Sequence, residues 1–139
     1  MSDASATGVV EQMLDHAADQ RWEALTDLLA EDFVIVEPAS LPYGGEHHGL
    51  DGYVALLQRI GGLFELGFEP HGVHALDEQT VLLRMRVTFR ERQSGAELAL
   101  PVLELLTVRE HRVARSEVFL QDPAALVRLL TMPMRATPT

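Results

Sequence analysis

The 139-residue chain contains no cysteine. That removes disulfides, thiolate metal sites and a cysteine nucleophile, and leaves the compartment open. Basic charge is scarce: 11 Lys and Arg stand against 21 Asp and Glu, a formal net charge of −10. Nucleic acid and anionic membrane surfaces both need a basic face, so neither is an expected partner. Strongly anionic substrates are disfavoured for the same reason, unless arginines cluster locally. No apolar run approaches the roughly 18 to 20 residues of a membrane span. The opening MSDASATG has neither the basic stretch nor the apolar core of a secretory signal, so a cytoplasmic protein is expected. HExxH and glycine-rich phosphate motifs are also missing. His47 and His48 are adjacent, and His71 and His74 lie three apart in a strand-like segment, so each pair points to opposite sides of an extended chain. No metal and no cofactor are expected.

What is present suits one domain over residues 1–139, with an ordered core at about 7–131. Hydrophobic residues make up 47% of the chain, enough for one good core. The first half reads as helices. Thr7 is a candidate cap, followed by Val9, Val10, Met13, Leu14, Ala17 and Ala18 at helical spacing. Trp22, Leu25, Leu28 and Leu29 continue that period as a second helix. Asp32 to Glu37, within DFVIVEP, reads as a strand, and PASLPYGGEHHG (38–49) as a loop. Asp51 can cap a third helix with Tyr53, Val54, Leu56, Leu57 and Ile60 inward, stopped by Gly61 and Gly62. From there the period changes to two. Strands are expected at 66–75 (interrupted by Pro70 and Gly72), 80–92, 97–109 and 113–121. Asp122 and Pro123 open a last helix, and the tail TMPMRATPT is expected to be mobile. The order α-α-β-α-β-β-β-β-α predicts an α+β fold: a curved antiparallel sheet wrapped around a few helices, with a pocket inside the cone.

Two carboxylates stand out against this pattern. Glu37 keeps the period-2 register of Phe33 and Ile35. On its own it reads most simply as an exposed strand end before Pro38. Glu104 is no strand end. It shares a face with Leu98, Leu100, Val102, Leu106 and Val108. The other face of that strand (Glu97, Ala99, Pro101, Leu103, Leu105, Thr107) is apolar in its middle, so cover on both sides is expected. An unpaired buried carboxylate costs several kcal/mol, so it must find a partner or keep its proton. Arg84 and Arg86 lie out of register with the apolar face of their own strand. They are expected to point outward, toward Glu117.

With these residues in view, LAEDFVIVEP, a Pro/Gly loop closing at His48-Gly49 and the helix after it resemble the ketosteroid isomerase branch of the nuclear transport factor 2-like superfamily. The SnoaL-like polyketide cyclases share that cone-shaped fold. The resemblance runs from about Val9 to Leu130. It implies that Glu37, just before the Pro, is a catalytic base, and that Glu104 is a second carboxyl group that stays protonated and donates to an oxyanion. It places Leu106, Val118 and Leu120 on the pocket wall. The family's oxyanion tyrosine falls on Met13, which cannot donate a hydrogen bond; His16, one turn on, is a candidate substitute but is more simply part of a polar helix face.

Two carboxylates about 6 Å apart at an effective dielectric near 20 repel by roughly 3 kcal/mol, or about two pKa units. Apolar walls raise both values further, so one group stays protonated while the other ionises. One base and one neutral acid suit removal of a proton next to a carbonyl. The expected ligand is small, apolar and carbonyl-bearing, within a pocket of Met13, His16, Ile35, Tyr53, Leu57, Met85, Val87, Val102, Leu106, Val118 and Leu120. Tyr53 lies on the inward helix face, more simply as core, although its hydroxyl can serve the pocket. Tyr43, His47 and His48 read as solvated loop residues. Two alternatives remain: a non-catalytic ligand-binding or dimerisation module of the same fold, and epoxide-hydrolase-like activation of water. The latter wants an arginine between the carboxylates, and none falls in the pocket register. Apolar Leu103 and Leu105 on the outer strand face favour a homodimer through the sheet.

Overall fold

A computed structural model describes residues 5–131 of the chain; the C-terminal segment expected above to be mobile lies outside them from residue 132 on. The elements run α1 (Ala6–Ala18), α2 (Trp22–Leu25), β1 (Leu29–Glu37), β2 (Gly45–His48), α3 (Gly49–Leu63), β3 (Phe64–Ala75), β4 (Thr80–Glu91), β5 (Glu97–Arg109), β6 (Arg112–Leu120) and α4 (Pro123–Leu130). Six strands form one sheet in the order β2-β1-β6-β5-β4-β3. All neighbours are antiparallel except β1 and β6, which are parallel. The expected α+β class and its long meander are therefore present.

Local details differ from expectation for physical reasons. Ser5 caps α1: its Oγ accepts from the Gly8 N–H at 3.2 Å, two residues earlier than the expected Thr7. The second helix is a single turn, because Leu29 already belongs to β1, paired with Val113 of β6. Asp51 does not cap α3. It sits inside the first turn, where its charge complements the helix dipole, and the helix runs through Gly61 and Gly62 to Leu63. Four residues of the expected loop form β2, an edge strand pairing Glu37 with Gly45 and Val34 with His48. At α4 the expectation holds: Asp122 Oδ1 accepts from the Ala125 N–H at 3.1 Å, and Pro123 begins the helix.

Three register shifts bend the sheet, between Leu29 and Val34, between Pro70 and Gly72, and between Thr107 and Val108. Its inner face carries the core. α1 packs there against β3, β4, β5 and β6, and α3 crosses β1, β2 and β3. Met13, Phe33, Leu56, Phe64, Val81, Val102 and Leu106 are fully buried between these layers. The outer face lacks such cover. Leu103 is 40% and Phe119 49% exposed, and the two are paired across β5 and β6. Cover on both sides of β5 is thus not provided by the described residues. Arg84 sits opposite Leu103, confirming its outward register. Glu117, however, bonds Arg115 at 2.9 Å rather than Arg84 or Arg86.

Candidate active site

The parallel pairing of β1 with β6 decides where Glu37 goes. Val36 is level with Glu117, so the next residue, Glu37, stands beside Val118. On the other side of β6, Val118 is directly opposite Glu104 of β5. The row Glu37–Val118–Glu104 therefore spans two strand spacings, about 9.5 Å at the backbone, within reach of two glutamate side chains leaning together. Both are buried, each only 8% exposed. The next row on one side is Ile35–Ser116–Leu106, and on the other side Leu120 pairs with Val102. Leu83 closes the far flank of Glu104. Two carboxyl groups thus share one face inside apolar walls.

Burial, and secondarily the nearby charge of Glu104, pushes the Glu37 carboxyl up to about 8. Burial pushes Glu104 up to about 7, with the nearby Ser116 hydroxyl acting in the other direction. Ser116 Oγ is itself buried and makes no hydrogen bond among the described residues. The pair titrates as a unit. Both carboxyls are raised, so near neutrality the pair keeps a proton between them. A ligand oxygen that accepts a hydrogen bond from Glu104 favours the proton there.

Two tyrosines complete the site. Tyr53 of α3 is buried with its ring against Phe33, centroids 5.5 Å apart. Burial first, then the charges of Glu104 and Glu37, raise its hydroxyl above the ordinary tyrosine value. Tyr43 is raised by burial and by Glu37 alone. Both are therefore neutral hydrogen-bond donors at physiological pH. No cation is among the groups acting on these four acids. The sequence has no lysine at all, its 11 basic residues being arginines, so a Schiff base with a lysine is excluded.

Access is from the end of the sheet. β1 stops at Glu37 and Pro38 turns the chain away, while β6 continues to Leu120. Between them opens a cleft of about 340 Å³, lined by Val36, Glu37, Pro38, Val118, Phe119 and Leu120 among others; Glu104 is not on its lining. The loop beside it is packed rather than solvated. Leu41 N–H donates to the Pro38 carbonyl at 3.1 Å and Gly44 N–H to the Leu41 carbonyl at 2.9 Å. A side chain at Gly44 would run into the Pro38 carbonyl oxygen. His47 Nε2 donates to the Tyr43 carbonyl at 2.7 Å, which pins the loop. Tyr43, expected in solvent, is consequently only 2% exposed. His48 is exposed as expected.

Of the expected pocket residues, Met13, Ile35, Tyr53, Val87, Val102 and Leu106 are buried in the core, and His16, Leu57, Met85, Val118 and Leu120 are half-buried. Val102, Leu106, Val118 and Leu120 gather around Glu104. His16, on α1, is half-buried with its Nδ1 buried and without a partner among the described residues. Tyr43 and Ser116 were missed. Leu41 and Tyr43 alternating inside a proline-rich loop were the available signal for the first; Ser116 carries none.

The family model for the SnoaL-like domain matches residues 10–116. The chain belongs to the SnoaL-like domain family. No curated protein sequence matches it. Solved structures share its fold at low identity. A nuclear transport factor 2-like protein from Burkholderia xenovorans LB400 is 24% identical, with 86% of this chain and 91% of that one covered at a TM-score of 0.79. A candidate SnoaL-like polyketide cyclase from Jannaschia sp. CCS1 is 16% identical, covering 96% and 98% at 0.74. A protein of ketosteroid isomerase-like fold from Catenulispora acidiphila DSM 44928, in complex with trimethylamine, is 17% identical, covering 84% and 87% at 0.66. The fold expected from the sequence is thus the family's fold. No helix among the described residues is long and apolar enough to cross a membrane.

Proposed function

We propose that this SnoaL-like protein is a cofactor-independent isomerase- or cyclase-type enzyme acting on a small, apolar ketone. The observation that carries this reading is the row Glu37–Val118–Glu104, which holds two carboxyl groups on one buried face with no cation acting on either. Glu37, on the cleft, is the base that takes a proton from the carbon next to the carbonyl. Glu104 keeps the pair's remaining proton once a ligand oxygen accepts from it, and steadies the enolate. Returning the proton from Glu37 to another carbon completes an isomerisation with no oxidant or reductant. A positioned base contributes about 10² to 10⁴ in rate.

An apolar β,γ-unsaturated ketone, whose conjugated product absorbs in the ultraviolet, is the direct assay. Turnover requires one carboxyl ionised and one protonated. Its kcat/KM is therefore expected to follow a narrow bell with limbs near 7 and 8, values that belong to the coupled pair and not to either residue alone. Below the lower limb the base is protonated, and above the upper one the donor is lost. Glu37→Gln is expected to lower kcat/KM by about 10² to 10⁴. Unchanged turnover in that variant would show that Glu37 is not the base, and a wild type that binds such a ketone without converting it would be a binding module.

We also infer that a second copy of the chain covers the outer sheet face at Leu103 and Phe119, because exposed apolar strand surface of this kind tends to be covered. Sedimentation should show a dimer that Leu103→Glu disperses; a wild-type monomer at micromolar concentration contradicts it.

A further inference from the structure

A loop leaves β1 directly after Glu37 and returns to it. The chain departs at Pro38 and comes back at Gly45, the residue level with Glu37 across the β1–β2 pair. The base of the loop 38–44 is therefore Glu37 itself. Inside the loop the Leu41 N–H donates to the Pro38 carbonyl at 3.1 Å and the Gly44 N–H to the Leu41 carbonyl at 2.9 Å. Leu41 and Tyr43 are buried in it. The Tyr43 carbonyl receives no backbone N–H from the described residues. A carbonyl at so buried a residue needs a donor, and His47 Nε2 supplies it at 2.7 Å.

β2 places His47 for this bond. His47 is level with Ile35, a core residue, so its side chain shares the inner face with Ile35 and Glu37. Half-buried there, it reaches back to the loop. His48, the next residue, faces the other way and is exposed, with Glu46 at 3.8 Å. A carbonyl can only accept, so Nε2 must carry hydrogen, which it does in the charged ring and in one neutral tautomer. The bond therefore survives protonation of His47.

We propose that His47 is a positioning residue: through the Tyr43 carbonyl it holds the loop 38–44 shut against Glu37 and keeps water from that carboxyl. Without the bond, solvent gains Glu37 from the side of Pro38, Ala39 and Gly45, which line the cleft with it. The titratable groups coupled to Glu37 are Glu104 of β5, Tyr53 of α3 and Tyr43 of the loop. β6 presents Val118 beside it, and Glu117 on the cleft, bonded to Arg115 at 2.9 Å. None of these groups can replace the loop as cover. Burial is the largest cause holding Glu37 high, so opening the loop lowers it. The catalytic consequence rests on the proposed role of Glu37 as base; the closure of the loop is read without substrate.

The test follows the Glu37 signal by carboxyl-carbon NMR in wild type, His47→Ala, His47→Gln and His48→Ala, beside kcat/KM against pH on the unsaturated ketone. In His47→Ala that signal should titrate lower by about one pH unit or more, a tenfold loss of proton affinity, and the bell should move with it. His47→Gln, whose amide nitrogen stands in for Nε2, should restore the wild-type titration, and His48→Ala should keep it. An unchanged Glu37 titration in His47→Ala overturns the proposal, as does an equal shift in His47→Gln or His48→Ala. If His47→Ala shifts alone but wild type converts no ketone, His47 keeps its role and the isomerase reading falls. Should His47→Ala fail to fold, hydrogen exchange in wild type decides. The Leu41 and Gly44 amides must then be protected as sheet amides are, and exchange at the unfolded-peptide rate overturns the closed loop.

Discussion

Glu91 and the Glu37–Glu104 pair are the buried carboxyl groups of the described residues, and their surroundings treat charge in opposite ways. Glu91 ends β4, and its own turn folds over it. Its Oε2 accepts from the Gln93 N–H at 2.7 Å and its Oε1 from the Ser94 N–H at 3.0 Å. Those donors, Gln93 first, hold its carboxyl below the usual value despite some desolvation. Its cover comes from the turn and not from the body of the protein, so the ionised form stays comfortable. Glu37 and Glu104 lie in the body of the sheet, accept no backbone N–H among the described residues, and are pushed up to about 8 and about 7. A buried acid with donors is a structural part. A buried pair without them holds a proton near neutrality and costs stability once ionised, which is the arrangement on which the proposed function rests.

Replacing each acid by its neutral amide sharpens the contrast, because the same change should have opposite signs. Glu104→Gln is expected to stabilise the protein at pH 8, by on the order of 1–3 kcal/mol, by removing the buried charge. Glu91→Gln should destabilise it by about 1 kcal/mol, since an amide cannot accept both N–H groups well. Urea unfolding of the two variants measures both, and equal signs would erase the distinction.

The pH dependence of wild-type stability should follow the same division. From an ordinary glutamate value of 4.5 up to about 7 and 8, the unfolded chain releases protons that Glu104 and Glu37 retain in the folded state. Their contribution is therefore full below 4.5, falls through this window, and is gone above about 8. Glu91 acts in reverse, adding stability above 4.5 that is lost as pH falls through its lowered folded value. In urea melts, Glu104→Gln should flatten the alkaline loss and Glu91→Gln the acid one.

The sequence made some of this visible. LALPVLELLTV alternates so regularly that β5 begins and ends where the pattern does, and Glu104 is conspicuous because every neighbour on its face is apolar. Glu37 was harder to read, since a strand-terminal acid before a proline is ordinarily exposed. Its burial comes from β6 running past it and from the packed loop behind it. β2 gave no pattern to find: GEHH is a four-residue edge strand with no apolar alternation. Leu28 and Leu29 fit helical spacing and strand spacing equally, and pairing with Val113 decided for the strand. The nearness of Tyr53 to both carboxyls depends on how α3 crosses β1, a long-range contact that no local pattern encodes. The outer face poses a similar difficulty, because apolar Leu103 and Leu105 do not say whether cover comes from the same chain or from a second copy.

The central claim is that Glu37 and Glu104 hold a proton between them near neutral pH. Carboxyl-carbon NMR on protein labelled with ¹³C-glutamate tests it directly, with Glu37→Gln and Glu104→Gln assigning the two signals. The account predicts two carboxyl resonances that move only between about pH 6 and 9, around the values of about 7 and 8, while the exposed glutamates titrate near 4.5. Two signals that shift near pH 4.5 with all the others would contradict it.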